Sequence, residues 1–284
     1  MKVRNHRLIG GDGSAVPLKQ TPNRSGKLVG GAPKYLVIHY TAAGAASGSI
    51  RHLTSKAARA SAHLVIGRDG DVTQLGRFDE KLWHAGTSRW KGILGLNGHS
   101  VGIELANWGK LSGGSGGWKT WTGGAVDDDL VVAAAHKNAP DVIRGWEIYP
   151  EAQVRACADA ARAICEAYGL RPADIIGHDD ISPGRKSDPG PAWDMERFRS
   201  LVFGRADDGD AAGPEDEPRW QVRSASGLNL RDGPGTENGI IKLLDDGTEV
   251  AVVEQPGTWW MVAEVVEGVE RDTGWVHSRW LQPA

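Results

Sequence analysis

Residues 35–40 are YLVIHY, a continuous apolar run that ends in a histidine and a tyrosine. A short uninterrupted run of this kind predicts a strand that is buried on both faces. Residues 100–107, SVGIELAN, predict a second buried strand for the same reason. Residues 62–75, AHLVIGRDGDVTQL, predict two further strands joined through an Asp-Gly turn. These runs together predict a buried sheet in the first half of the chain.

Helical patterns lie between and after these strands. Apolar residues at three- and four-residue spacing predict a helix over Glu151–Tyr168, which Gly169 ends. Residues 48–56 predict a shorter helix, residues 173–178 a short strand, and Trp193–Phe203 a closing helix. Strands mixed with helices in this order predict an α/β domain, with a central, mixed, mostly buried sheet flanked by helices.

Two stretches of this domain lack the hydrophobic periodicity of a helix or a strand. Residues 1–33 are polar and rich in glycine and proline, which predicts an irregular arm laid over the domain. Residues 110–124 are rich in glycine, serine and tryptophan, which predicts a loop. Trp118 and Trp121 in that loop are candidates to bind substrate, because indole rings stack on flat or sugar-like ligands. The alternative is that both side chains pack within the loop.

The C-terminal third has a different composition. Residues 205–218, RADDGDAAGPEDEP, are acidic and contain no large apolar side chain, which predicts a flexible linker. Residues 219–284 consist of short alternating runs separated by turn signals, which predicts a small all-β barrel. The sequence therefore predicts a domain over 1–204, a linker, and a second domain over 219–284.

Charge is unevenly distributed over these parts. Residues 205–284 carry a net charge of −9, so residues 1–204 carry +6 of the total of −3. A basic first domain favours an anionic polymer, either a bacterial envelope or a nucleic acid. We expect no nucleic-acid partner, because the chain has no nucleic-acid-binding motif and no run of interleaved aromatic and basic residues.

Membrane and redox features are few. No run of 18 apolar residues exists, so we expect no transmembrane segment. The N-terminal residues are basic but lack the apolar core of a secretory signal peptide, so we expect cytoplasmic synthesis. Cys157 and Cys165 are eight residues apart in a helical pattern, roughly 12 Å, which is too far for a disulfide. Both are expected to be free buried thiols.

Residues 175–194, IIGHDDISPGRKSDPGPAWD, concentrate ionisable side chains on a loop stiffened by three prolines. His39 and His178 each lie at the end of a predicted buried strand, and Asp188 lies on the loop. Two imidazoles and a carboxylate are a usual ligand set of catalytic zinc, with the fourth position open. The spacing alone is equally compatible with hydrogen-bonded core histidines and a turn-forming aspartate.

Five motifs between Lys34 and Phe203 resemble the zinc-dependent N-acetylmuramoyl-L-alanine amidases, a superfamily that includes phage amidases, anhydro-muropeptide amidases and peptidoglycan recognition proteins. The motifs are LVIHYTA, SAHLVIGRDGDVTQL, WHAG, SVGIELAN and GHDDISPGRKSDPGPAWDMERF, in that order. The resemblance implies one zinc ion per chain, held by His39, His178 and Asp188. It also implies hydrolysis of the amide bond between N-acetylmuramic acid and L-alanine.

The same resemblance implies two catalytic residues. Glu104 matches the catalytic glutamate, and a carboxylate there can take a proton from water and pass it to the leaving amine. Lys186 matches a lysine that stabilises the oxyanion, a charge interaction that is strong where water is excluded. Ala62 replaces the tyrosine of some phage members, which places this chain in the glutamate-dependent branch. His84, in WHAG, either lines the substrate groove or orders a loop, and His63 is expected to be structural.

Most of residues 219–284 resembles a bacterial Src-homology-3-like domain, through LNLRDGPGT, GTEVAVVE, TWWMVA and TGWVHSRWL. Such domains commonly bind cell-wall peptide. Trp259, Trp260 and Trp275 are candidates for a wall-binding groove, although in so small a domain some must be core residues. A linker would keep the first domain at high local concentration near a bound wall.

We therefore expect a zinc-dependent peptidoglycan hydrolase, most simply a phage or prophage endolysin. Such an enzyme would be made in the cytoplasm and would reach the cell wall, in the periplasm or outside the cell, with the help of a holin-type protein. One alternative is a cytosolic amidase that recycles soluble anhydro-muropeptides, although such a substrate needs no wall-binding domain. The other is a non-catalytic peptidoglycan-recognition protein, although such a protein needs no complete ligand set.

Overall fold

The computed structural model describes residues 1–114, 116–204, 219–254, 258–266 and 269–284. The chain divides into two compact units, residues 1–206 and 207–284. The predicted linker over 205–218 lies outside the described residues. Within the described residues, no helix combines the length and hydrophobicity needed to cross a bilayer.

The first unit contains sixteen described strands and four α-helices. The strands are β1 (Lys2–Arg4), β2 (Arg7–Ile9), β3 (Arg24–Lys27), β4 (Tyr35–Tyr40), β5 (Leu64–Ile66), β6 (Val72–Gln74), β7 (Glu80–Leu82), β8 (Arg89–Trp90), β9 (Ile93–Leu94), β10 (Ser100–Leu105), β11 (Lys110–Gly114), β12 (Gly117–Lys119), β13 (Ala125–Val126), β14 (Val131–His136), β15 (Ala139–Glu147) and β16 (Ile175–Gly177). The helices are α1 (Ala46–Leu53), α2 (Glu151–Tyr168), α3 (His178–Ile181) and α4 (Met195–Phe203).

The central sheet has the strand order β16-β4-β10-β5-β6. Strands β16, β4, β10 and β5 are parallel, and β6 is antiparallel to β5, so the sheet is mixed as predicted. Alternate side chains of β4 enter different clusters: Leu36 and Ile38 lie in the largest core, whereas Tyr35 and Val37 lie in another. Burial of such a side chain stabilises the folded state by about 1.5–3 kcal/mol relative to leaving it exposed. The apolar run at 35–40 is therefore covered on both faces.

Helix α2 packs against the largest core through the apolar stripe that its sequence predicts. Val154, Ala161 and Ile164 are buried there, and the helix has the predicted bounds. Cys157 and Cys165 belong to the same stripe and form no disulfide. Because burial disfavours the thiolate, the pKa of Cys165 is raised to about 12, and both thiols are therefore poor nucleophiles.

The prediction of an irregular N-terminal arm over residues 1–33 is wrong for β1, β2 and β3, whereas residues 10–23 belong to no strand or helix. Strands β1 and β2 form an antiparallel hairpin, and β3 pairs with β7. Leu8 is fully buried, and its backbone N–H donates to the side-chain oxygen of Gln74 at 2.9 Å. The partners that order this segment lie far away in sequence, and strands of three or four residues are too short to show a period.

The prediction of a loop over 110–124 is also wrong. Strands β11 to β15 form a second sheet with the order β13-β12-β11-β15-β14, and all its paired strands are antiparallel. No strands were expected over 125–147. Trp146 of β15 is buried, and its indole N–H donates to the carbonyl of Ala134 at 3.0 Å, inside the hairpin. Frequent glycines weaken the alternation that would otherwise indicate these strands.

The second unit is all-β, as predicted. Its strands are β17 (Arg219–Val222), β18 (Leu228–Arg231), β19 (Ile240–Leu244), β20 (Glu249–Glu254), β21 (Trp259–Val266), β22 (Val269–His277) and β23 (Leu281–Pro283). They form one antiparallel sheet in the order β19-β18-β22-β21-β20-β17-β23. Val222, Leu230, Val250, Val262 and Val276 form its separate small core.

Candidate metal centre and active-site cavity

Three buried side chains meet at the carboxyl-terminal edge of the central sheet. His39 Nδ1 and His178 Nδ1 lie 2.9 Å and 2.8 Å from Oδ2 of Asp188. The two imidazole nitrogens lie 2.9 Å apart. His39 lies in β4, His178 follows β16, and Asp188 lies on the loop after α3. Parallel strands end at the same edge, which is why residues 139 positions apart converge.

The outer nitrogens of the two histidines determine which way their lone pairs point. His178 Nε2 lies 3.1 Å from the carbonyl of Ala85, so it carries the proton and donates. His84 Nε2 lies 3.3 Å from the carbonyl of Ser100 and also donates, which leaves His84 Nδ1 as an acceptor for His39 Nε2–H at 3.0 Å. Both Nδ1 atoms therefore direct a lone pair toward the carboxylate of Asp188. Three electron-pair donors facing one point form a set that fits a divalent metal ion.

Burial keeps His39 and His84 neutral, and a histidine must be neutral to bind a metal ion. Desolvation and the neighbouring His178 lower the pKa of His39 to about 4. The pKa of His84 lies well below its ordinary value, again mainly because the ring is buried and also because other imidazoles surround it. At neutral pH the site therefore offers the neutral imidazole of His39 beside the carboxylate of Asp188.

Gly102 in β10 explains how His84 approaches the site so closely. A Cβ atom at this position would lie 2.5 Å from Nδ1 of His84, so no larger residue fits under the ring. The backbone of Gly102 also contacts His63, since its N–H donates to His63 Nδ1 at 3.0 Å. His63 Nε2 donates to the carbonyl of Glu80 at 3.0 Å. Both nitrogens of His63 are thus used within the core, as a structural histidine requires.

Glu104 lies beside the metal centre. It pairs with His39 in the register of the parallel strands β10 and β4. Its Oε2 is enclosed and has no hydrogen-bond partner among the described residues. Burial, and then the negative charge of Asp188, raise the pKa of Glu104 well above its ordinary value, although Lys186 opposes the shift. An unpaired enclosed carboxyl group is costly in a fold, which favours a chemical role for it.

A cavity of about 410 Å³ opens over these residues. Its lining includes Glu104, His178 and Asp188, together with His84 and Lys186. The structure thus brings four of the five predicted metal and catalytic residues to one cavity, and the fifth, His39, lies directly behind them. It also brings the predicted His84 there, in contact with His39.

The loop that carries Lys186 and Asp188 is fastened at several points. Ser187 Oγ lies 2.9 Å from the hydroxyl of Tyr40, the neighbour of His39. The hydroxyl of Tyr149 donates to the carbonyl of Pro189 at 2.8 Å. These three supporting side chains were not predicted from the sequence. Tyr40 and Ser187 lie within quoted motifs, but their contact joins residues 147 positions apart, and Tyr149 lies in no motif.

The two tryptophans predicted to bind substrate lie in different surroundings. Trp121 is 72% exposed, and its indole N–H donates at 2.7 Å to the carbonyl of Ala42, a residue that lines the cavity. Trp118 instead lies over Gly145 within the second sheet. Of these two side chains, Trp121 is therefore the one that lies beside the cavity.

The three tryptophans predicted to bind the wall lie in β21 and β22. The ring of Trp260 meets that of Trp220 edge to face at 4.9 Å and packs against the core. The ring of Trp259 lies 5.4 Å from that of His277. Trp275 is partly buried and pairs with Met261 across the strands. All three are partly buried, and Trp260 is the one that packs against the core.

Known proteins match both units of the chain. A family model described as N-acetylmuramoyl-L-alanine amidase matches residues 29–191, and one described as bacterial SH3 domain matches residues 226–282. The 1,6-anhydro-N-acetylmuramyl-L-alanine amidase AmpD of Escherichia coli (strain K12) is 34% identical over 144 residues, which cover 51% of this chain and 59% of AmpD. The N-acetylmuramoyl-L-alanine amidase AmiD of the same strain is 30% identical over 178 residues, covering 60% and 54%.

A solved structure of a selenomethionine derivative of AmpD aligns with a TM-score of 0.48 and 25% identity, covering 71% of this chain and 99% of that one. The chain spans somewhat less than three fifths of the length of the curated relatives it matches. The amidase model covers more than half of the chain, and it includes the two histidines, the aspartate and the glutamate described above. The chain belongs to the N-acetylmuramoyl-L-alanine amidase family, with a bacterial SH3 domain at residues 226–282.

Proposed function

We propose that this chain hydrolyses the amide bond between N-acetylmuramic acid and the L-alanine of peptidoglycan. The observation that supports this most strongly is that three side chains suited to a metal ion meet at one point, beside a cavity that two of them line together with Glu104. The names of the relatives agree, since AmpD and AmiD are both described as amidases of muramyl-L-alanine.

His39, His178 and Asp188 would hold one zinc ion. Two imidazoles and one carboxylate suit zinc better than magnesium or calcium, which prefer all-oxygen ligands. When bound in such a site, zinc supplies Lewis acidity and a water molecule whose pKa is near 7. The structure contributes the orientation of the ligands, since Ala85 and His84 hold the two imidazoles with their Nδ1 atoms toward Asp188.

Glu104 would move the proton. As water adds to the carbonyl carbon of the muramyl amide, the carboxylate of Glu104 accepts a proton from that water. The same proton then passes to the amide nitrogen as the C–N bond breaks, which releases the amine of L-alanine. The raised pKa of Glu104 suits both steps, because the carboxyl group holds the proton between them.

Lys186 would stabilise the charge that develops on the carbonyl oxygen. Its side chain lines the same cavity as Glu104 and Asp188. A cation in a partly enclosed site interacts with a developing oxyanion far more strongly than it would in water. Trp121 would offer an exposed ring at the cavity mouth, where a sugar of the glycan can stack.

The second unit supports action on wall-attached peptidoglycan. A wall-binding domain raises the local concentration of the first unit at an insoluble polymer. We include in this proposal a bacteriolytic role of the endolysin type, with action at the cell wall and release by a holin-type protein. A second candidate is the cleavage of soluble anhydro-muropeptides, which is favoured by the names of the AmpD relatives.

Mass spectrometry of a digest tests the proposal. Purified sacculi and a soluble anhydro-muropeptide are each incubated with the zinc-loaded protein and with a Glu104→Gln control. We expect peptides with a free N-terminal L-alanine and intact glycan strands from sacculi. Cleavage of the soluble substrate alone would favour the second candidate. Products cut between sugars, or no products from either substrate, would contradict the amidase proposal.

A further inference from the structure

The tip of the β14–β15 hairpin contacts the loop that carries two of the three proposed metal ligands. The hairpin tip consists of His136, Lys137 and Asn138, and we call residues 178–190 the ligand loop. None of the three tip residues lines the active-site cavity in the described part of the chain. The family match and the proposed chemistry leave this contact unexplained.

His136 makes a directed hydrogen bond to the ligand loop. Its Nδ1 accepts the backbone N–H of Asn138 at 3.1 Å, so the proton lies on Nε2. Nε2 donates to Oδ2 of Asp179 at 2.9 Å, and both side chains are buried. The side-chain amide of Asn138 donates to the backbone carbonyl of Asp179 at 3.0 Å. Asp179 is thus held by both its side chain and its backbone.

Lys137 adds charge to the same contact. Its Nζ lies 3.0 Å from Oδ1 of Asp179 and also pairs with Oδ1 of Asp180. Asp179 is buried, so its carboxylate is costly unless it is paired. The side chain of Lys137 is half exposed, and its ammonium group pairs with two adjacent carboxylates at the start of α3.

Asp179 connects the hairpin tip to both ligands of the loop. It follows His178 directly in sequence, and its backbone N–H donates to the carbonyl of Asp188 at 2.8 Å. At the far end of the loop, the ring of Trp146 in β15 lies against Gly190, where a Cβ atom would approach it to 2.6 Å. The hairpin therefore contacts the ligand loop at both ends.

We infer that the hairpin tip is a brace for the metal site, in which His136 and Lys137 are positioning residues for His178 and Asp188. This inference rests on the proposed function, since it concerns the affinity for the zinc ion. Two of the ligands lie on a loop, and a loop holds ligands in place only as firmly as its own contacts fix it. Support of this kind, outside the ligands themselves, commonly contributes 10- to 100-fold to metal affinity or activity.

The test measures the affinity of the full-length protein for Zn²⁺ in competition with a chromophoric chelator. Lys137→Ala and His136→Ala remove the contacts, whereas Lys137→Arg keeps the charge and His136→Gln keeps a donor near the position of Nε2. Arg144→Ala is the matched control, because it removes a positive charge from an exposed position of the same hairpin. The visible spectrum of Co²⁺-loaded protein and the urea midpoint of metal-free protein are recorded for each variant.

We expect the dissociation constant for Zn²⁺ to rise by roughly 10-fold in Lys137→Ala and in His136→Ala. The Co²⁺ spectrum should change in both, whereas Lys137→Arg, His136→Gln and Arg144→Ala should stay close to wild type. Zinc affinities within twofold of wild type in Lys137→Ala and His136→Ala would overturn the brace, even if their urea midpoints fell. A wild-type protein that binds no Zn²⁺ would instead overturn the proposed function, and the brace with it.

Discussion

His84 faces His39 from the side opposite the metal centre, with 3.0 Å between His84 Nδ1 and His39 Nε2. The far nitrogen of His84 reaches the carbonyl of Ser100 in β10. A chain of two imidazoles and one backbone carbonyl therefore sets the proton position on His39. The sequence left open whether His84 lines the substrate groove or orders a loop. The structure places His84 in the lining of the cavity, with its ring nitrogens against His39 of β4 and Ser100 of β10.

Replacing His84 with alanine removes the acceptor for His39 Nε2–H. We expect the affinity for Zn²⁺ to fall by roughly 10- to 100-fold, because partners of this kind orient ligating histidines. His52→Ala is the matched control, since His52 also lines the cavity but is exposed. Chelator competition measures both variants. Equal zinc affinities in His84→Ala and wild type would remove His84 from the support of the site.

Replacing Glu104 with glutamine keeps the shape of the side chain but removes its ability to carry a proton. We expect zinc content to stay at the wild-type value while kcat falls by roughly 10²- to 10⁴-fold. Steady-state hydrolysis of a soluble muropeptide measures kcat, and elemental analysis measures zinc. An unchanged kcat in Glu104→Gln would exclude the carboxyl group as the proton carrier.

His63 makes stability depend on pH. Burial lowers its pKa to about 4 in the folded protein, from an ordinary value of 6.5. The unfolded chain therefore binds a proton at His63 between these values while the folded chain does not, so stability falls as pH drops from 6.5 toward 4. This difference in the pKa of His63 corresponds to a loss of about 3 kcal/mol from the free energy of unfolding at low pH.

Urea unfolding of the metal-free protein at several pH values measures this effect. The free energy of unfolding of wild type should fall more steeply between pH 6.5 and 4 than that of His63→Gln, which cannot titrate. Parallel pH profiles for the two proteins would show that His63 is not the group responsible.

Removing residues 219–284 separates binding from catalysis. The two units have separate hydrophobic cores, so the first unit keeps its site. We expect binding to purified sacculi to weaken by about tenfold or more, because the tether is lost, while kcat on a soluble muropeptide stays within about twofold. Co-sedimentation with sacculi measures binding. Undiminished binding by the truncated protein would locate wall recognition in the first unit.

The parts of this fold that sequence predicts are those whose signals are local. Helix α2 repeats its apolar residues every three or four positions over five turns, and β4 is an unbroken apolar run, so both are predicted with their bounds. Strands such as β1 and β12 have three residues each and depend on partners elsewhere in the chain. Three residues are too few to show the alternation of apolar and polar side chains that indicates a strand.

The same distinction holds at the site. The three proposed metal ligands and Glu104 lie within recognisable motifs, and the structure brings them together. The carbonyl of Ser100, the hydroxyl of Tyr149 and the side chain of His136 support the site across 16, 40 and 43 positions of sequence. Such contacts depend on the final packing of separate elements, and no residue type at a fixed spacing indicates them.

The proposed zinc hydrolase is tested most sharply by the metal content of purified wild-type protein and of Asp188→Ala. Elemental analysis is performed on metal-depleted protein that has been reloaded with Zn²⁺. We expect about one zinc ion per wild-type chain, as this ligand set holds a single ion. The Asp188→Ala protein should retain far less and should not hydrolyse muramyl-L-alanine. Wild-type protein that hydrolyses this bond without bound metal, or an Asp188→Ala protein with the full zinc content, would contradict the proposed mechanism.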